Sequence, residues 1–319
     1  MPSLLKTSSI KGKVWIAFKV LLLIALFLFI YYKLKDQDGL ALTFTFIKDN
    51  VGKNWHMLLL IISLMPLNWL IEARKWQLLA QPLGRLTLIN ALQGVLTGLS
   101  LSFITPHGLG DYLGRILQNP AKERGRYLGA IMISRMSQMM PTLVLGSWGV
   151  FYILPFNYFL LYLIILLSTF ISFALILSRK HKMSAMSFLP RRLYLLLVYY
   201  FGIIGEYPLV LWLRIILLSS GRYVVFVSQF VVAIYMFNPR IAIDLNIAGT
   251  TWILLAKSVL PSFNFLSDLG VREFSAIYFF EHHGVELIPV VSASLTIWLV
   301  NILLPTLAGA PLTLKMKLQ

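Results

Sequence analysis

Phe103–Arg115 reads F-I-T-P-H-G-L-G-D-Y-L-G-R and lies between apolar runs long enough to enter a bilayer. It holds a proline, three glycines, a carboxylate and a guanidinium. Proline removes a backbone donor and glycine loosens a helix. In hydrocarbon, broken backbone persists only where protein buries it or where it lines a wet cavity. An ionised side chain at that depth is expensive and marks a functional site. A second stretch of the same character, L-P-S-F-N-F-L-S-D-L-G-V-R-E, runs from Leu260 to Glu273. Together they predict an all-α, polytopic transmembrane bundle built around two broken or re-entrant helical segments.

Composition points the same way. Of 319 residues, 58% are hydrophobic and 13% charged, against roughly 25% charged in soluble domains. Mean hydropathy is +0.79. The net charge of +16 fits lysine and arginine gathered in cytoplasmic loops, where they attract anionic lipid rather than nucleic acid. The chain has no cysteine, which excludes disulfides, thiolate metal sites and cysteine nucleophiles. It has no phosphate-loop, zinc-protease or nucleophile-elbow motif. No cofactor, metal or catalytic residue is therefore expected, and His282 and His283 are read as loop residues.

Taken in order, the apolar runs predict eight to nine spans in one membrane domain over 1–319. The first, about 14–33, follows Lys6, Lys11 and Lys13 and places the N-terminus in the cytoplasm. Spans follow at about 55–72, 86–104 and 127–153. Met136–Ser178 has no charge in 43 positions, enough for two crossings folded at Leu154–Asn157. Further spans lie at about 193–218, 222–237, 243–260 and 285–309. Basic clusters at 72–85, 122–126 and 179–192 should share the cytoplasmic side, so 86–120 must return to the side it left, as a hairpin with its tip at Pro106–Gly110.

The two broken segments share Asp-x-x-x-Arg, Asp111 with Arg115 and Asp268 with Arg272, an i,i+4 pair with the acid first. Each follows a proline, Pro106 or Pro261, and each contains glycine: Gly108, Gly110 and Gly114, or Gly270. Paired broken helices in internal repeats mark transporter binding sites. The expected halves are 55–178 and 193–310, after an N-terminal span and loop at 1–54. Arg115, Arg135, Arg214, Arg272 and Lys257 outnumber the acids Asp111, Glu206, Asp268 and Glu273 within the spans. A phosphate headgroup would supply the missing negative charge, and arginine forks suit it. The structural alternative is an ion pair locking two helices, above all for Glu206 and Arg214. Lys257 is placed to snorkel to the interface, and Arg74 and Lys75 to obey the topology rule.

N-W-L-I-E-A-R-K-W-Q-L-L (68–79), P-H-G-L-G-D-Y-L-G-R (106–115), I-S-R-M-S-Q (133–138) and L-P-S-F…L-G-V-R-E (260–273) occur in that order. The series resembles the lysylphosphatidylglycerol synthase transmembrane region, a flippase-like family, over about 55–310. This chain has Arg74-Lys75-Trp76 where the family has Arg-Trp, Gly110-Asp111 where it has Gly-Glu, and Ser134 where a Glu precedes the arginine. The resemblance implies translocation of a phospholipid or lipid-linked precursor between leaflets of a bacterial inner membrane. Lysyl transfer from tRNA, the work of a soluble domain in that family, is not expected. Arg115 and Arg272, with Arg135, are expected to hold the headgroup phosphate, and Asp111, Asp268 and Glu273 to position those arginines. Arg74, Pro106, Gly108, Gly110, Pro261 and Gly270 complete the candidate site. An integral membrane enzyme acting on a lipid-linked phosphate, or a small-molecule permease, are the other readings.

Overall fold

The computed structural model describes residues 39–105, 109–116, 124–178, 203, 207–260 and 265–314. They form helices α1 (Gly39–Lys53), α2 (Trp55–Ala80), α3 (Leu88–Ile104), α4 (Leu109–Ile116), α5 (Arg124–Ile153) and α6 (Phe156–Ser178), then α7 (Leu209–Phe237), α8 (Ile243–Val259), α9 (Phe265–His282), α10 (Leu287–Trp298) and α11 (Leu304–Leu314). A π-turn, Leu299–Leu303, joins α10 to α11 in one continuous rod. No strand occurs among the described residues. The first expected span and the basic loop at 179–192 lie outside them.

Among the described residues, four helices are long and apolar enough to cross a membrane: Trp55–Leu83, Arg124–Ile153, Leu209–Phe237 and Leu287–Thr313. At 1.5 Å per residue each exceeds the roughly 30 Å of a hydrocarbon core. Eight to nine such spans are not found among the described residues. The apolar stretches of α3 and α6, Leu88–Phe103 and Phe156–Thr169, are shorter. One expected break is absent: α7 runs unbroken through Gly221 and Arg222. The charge there is accepted because a buried partner on α2 meets it, not because the helix has reached water.

The two halves are laid out alike. A long helix (α2 or α7) leads into a hairpin (α3–α4 or α8–α9), and a second long rod (α5 or α10–α11) closes the unit. Each hairpin begins with a 17-residue limb that ends in an extended residue before proline. Thr105 has φ −101°, ψ 142° and Leu260 has φ −76°, ψ 133°, as the ring of a following proline requires. The halves also exchange partners: α5 packs on α8, and α11 packs on α3. Both crossings use glycine. A Cβ on Gly149 would sit 2.6 Å from the Ala248 carbonyl oxygen. One on Gly309 would run into the Leu96 carbonyl.

Direction is set by α2 and α7, which run antiparallel. Asn54 donates to the Met236 carbonyl at 3.2 Å, Gln229 to Ile61 at 2.8 Å, and Tyr207 to Leu79 at 2.7 Å. The second half is therefore inverted relative to the first, and the two hairpins enter the bundle from opposite ends. Two apolar clusters bracket the α2–α7 contact. One gathers Ile61, Met65, Phe230, Phe237 and Phe280; the other gathers Trp76, Leu79, Tyr127, Tyr207 and Ile215. Between them lies a polar layer, with Arg222 about midway along α7.

Candidate functional site

The α3–α4 turn is built to survive without helical hydrogen bonds. Thr105 Oγ1 donates to the Leu101 carbonyl at 2.8 Å and accepts from the Gly110 amide at 2.7 Å. The Leu101 carbonyl also accepts from the Thr105 amide at 3.0 Å, so the hydroxyl's own contribution is to satisfy the Gly110 amide, a donor that the break leaves over. The limbs then cross in near-backbone contact, since a Cβ on Gly114 would collide with Gly98. That closeness swings Asp111 and Arg115 inward, and both are buried.

Glu72 of α2 is the hub they meet. Its Oε1 accepts from Arg115 Nη1 at 2.9 Å and its Oε2 from Arg222 Nη1 at 2.8 Å. Lys75 Nζ lies 3.0 Å from the same Oε2. Asp111 is a second hub, with Arg115 Nη2 at 2.8 Å from Oδ1 and Arg135 Nη2 at 2.9 Å from Oδ2. Four cations from α2, α4, α5 and α7 thus surround two carboxylates. Aromatic faces hold the guanidiniums: Trp76 lies 5.6 Å from Arg115, Tyr112 4.8 Å from Arg135 and Phe226 5.2 Å from Arg222. Arg222 also donates Nε to Asn68 Oδ1 at 2.8 Å.

Beside this network is a cavity of about 270 Å³. Arg222, Lys257 and Arg272 line it together with Asn68, Gln138 and Asn301, and no carboxylate is among its described lining residues. Asn301 belongs to the π-turn and donates to Gln229 Oε1 at 3.2 Å. Such turns widen a helix locally and often carry functional side chains. The cavity therefore sits at the centre of the bundle, reached by both hairpins: Leu99 of α3, and Lys257 and Ser258 of α8 with Arg272 of α9.

The expected site residues fall into distinct places. Asp111, Arg115 and Arg135 belong to one network, and Arg272 lines the cavity. Arg115 is engaged by two carboxylates, so its guanidinium is already occupied within the protein. Glu273 is buried and accepts from Ser294 at 2.8 Å, while Gly270 is buried in α9. Lys257 lines the cavity. Arg74 is exposed and donates to Gln77 at 2.6 Å, while the adjacent Lys75 turns inward. Arg214 is exposed on α7 beside Leu213 and Leu217. Pro106, Gly108, Pro261 and Glu206 lie outside the described residues, as does the side chain of Asp268.

Sequence reading missed Glu72, Lys75 and Arg222. The first two were assigned to a loop and the third to a span boundary. A signal was present: continuing α2 to Ala80 puts Glu72, Lys75, Trp76 and Leu79 on one helical face at i, i+3, i+4 and i+7, with Arg74 turned away. Comparison of the chain with protein-family models, with curated proteins and with solved structures finds no match.

Proposed function

We propose that this chain is a flippase-like membrane protein that moves an anionic phospholipid or lipid-linked phosphate between leaflets. The observation that carries the reading is the central cavity, which Arg222, Lys257 and Arg272 line from both halves of the chain. Its volume of about 270 Å³ is just under the roughly 300–1,000 Å³ of sites that enclose a whole drug-sized molecule. It suits a headgroup whose acyl chains stay in lipid. Arginine forks bind phosphate bidentately and lysine supplies a point charge.

The layout supports transport. Two oppositely directed units with broken hairpins that meet near the bundle centre are the plan of alternating-access transporters. In this reading Arg222 and Arg272 hold the phosphate, one from each half. Asp111 and Glu72 fix Arg115, which positions α4 against α2 rather than touching the lipid. Arg135, with its side chain 45% exposed, meets the headgroup on its way in. A bacterial inner membrane is the setting this reading assumes.

The test uses purified protein in vesicles carrying a fluorescent phosphatidylglycerol, with dithionite quenching to score translocation. Arg222→Gln with Arg272→Gln should lower the rate at least tenfold in protein that still melts cooperatively. Glu72 keeps Lys75 and Arg115 in that variant, and single Arg222→Gln and Arg272→Gln proteins run beside it separate loss of transport from loss of folding. Wild-type rates from a stable double variant would end the reading.

A further inference from the structure

Lys75 is the buried cation that the phosphate site leaves unused. It is 1% exposed. Besides Glu72, its Nζ faces the Ser134 carbonyl at 3.4 Å, Gln138 Oε1 at 3.4 Å and Ser219 Oγ at 3.5 Å. Ser219 Oγ is in turn 3.1 Å from Ser137 Oγ. The ammonium thus lies loosely in a cage of oxygens. The fold does not require a third cation there, because each oxygen of Glu72 already accepts from an arginine.

We propose that Lys75 is a proton-binding site coupled to the central cavity, so that an anion enters the cavity together with one proton. This rests on the anion-translocating reading above. Lys75 faces Glu72 on its own helix, which Arg115 on α4 and Arg222 on α7 share; Asp111 on α4 and Arg135 on α5 join the network through Arg115, and Tyr223 lines the cavity with Arg222. Helix α3 carries no charged group. Arginine keeps its proton at every pH a cell reaches, so Lys75 is the cation of this cluster whose charge can change.

The charge balance gives the coupling its sign. The network sets Lys75, Arg115, Arg135 and Arg222 against Glu72 and Asp111, four cations to two anions. Loss of the Nζ proton to water leaves a neutral amine and lowers the positive excess by one. A phosphate monoanion beside Arg222 lowers it by the same amount with the proton kept. Arrival is the reverse: a hydronium ion gives its proton to the Nζ lone pair and leaves as water, with nothing oxidised or reduced. Two single-residue links join Lys75 to the cavity. Gln138 accepts from Nζ and lines the cavity, and Arg222 shares Glu72 with Lys75 and lines the cavity too.

The experiment is calorimetric titration of the purified full chain in detergent with dioctanoyl phosphatidylglycerol, whose phosphate carries one fixed charge. Runs in two buffers of different ionisation enthalpy count the protons taken up per lipid bound. Wild type should take up a measurable fraction of one proton at mildly alkaline pH, and the fraction should grow as the pH is raised from neutrality. Lys75→Met should bind with none, and Lys75→Gln serves as the second variant. Binding without proton uptake, or uptake unchanged in a folded Lys75→Met protein, overturns the coupling and leaves the lipid reading standing. No binding by wild type overturns both. Glycerophosphoglycerol, the same phosphodiester without acyl chains, run in parallel separates the sources: uptake with it alone removes the lipid reading and keeps the coupled site. In vesicles, one pH unit should drive up to about a tenfold leaflet asymmetry of the probe, since one proton per unit is a factor of ten. Lys75→Met should show none.

Discussion

Replacing Glu72 by Gln is the sharpest probe of the charged layer. The change keeps the shape of the side chain and removes one negative charge from a group 4% exposed. Three cations then lose a partner at once. Arg115 retains Asp111 and Arg222 retains Asn68 Oδ1, whereas Lys75 keeps only neutral oxygens. Breaking a buried pair from one side costs about 3–5 kcal/mol, a large part of the 5–15 kcal/mol that holds an average fold. Glu72→Gln should therefore melt far earlier than wild type and yield little folded protein. The double change Glu72→Gln with Lys75→Met removes the stranded ammonium and should recover most of the loss, because both arginines still have an acceptor. Lys75→Met alone should cost much less than Glu72→Gln alone, since the carboxylate keeps two guanidiniums. The assay is thermal unfolding in detergent, read as a double-mutant cycle, with a coupling of 0.5–3 kcal/mol expected for residues in one network. A Glu72→Gln protein as stable as wild type would refute the reasoning, because it would mean that water already solvates these charges.

Three further outcomes follow from the geometry. Single cysteines at Arg85 and Arg240, introduced into a chain that has none, should label from opposite faces, since α2 and α7 run antiparallel; Arg124→Cys should label with Arg85→Cys. Gly114→Val should destabilise by more than about 3 kcal/mol, or fail to fold, because Gly98 leaves no room for a side chain. Arg214→Gln, on an exposed face of α7, should shift stability by no more than about 0.5 kcal/mol and leave lipid binding unchanged.

What the sequence reveals is local, and what it hides is long-range. The breaks at Thr105 and Leu260 are legible because proline restricts the residue before it. The Asp111–Arg115 contact is legible because four residues make one helical turn. Glu72 and Arg222 are not legible in that way. Each looks like the end of an apolar run, and only a partner 150 residues away turns a boundary into an interior. The relative direction of the halves is equally hidden: the same order of elements serves parallel and inverted arrangements, and only contacts such as Asn54 to Met236 choose between them.

The polar layer between two apolar clusters also has an electrical consequence. If the bundle spans a membrane, the voltage falls across the low-dielectric slabs above and below that layer, so the charge at Arg222, about midway along α7, sits about half-way down the drop. A full elementary charge crossing the membrane gains about 2.3 kcal/mol per 100 mV, and reaching this depth gains about half of that. An anion with its proton arrives as a neutral couple and feels none of it; an anion alone feels all of it. Under the proposed transport, the same oxygens and guanidiniums that hold the bundle together would therefore decide whether the voltage of the cell helps, opposes or ignores the transfer.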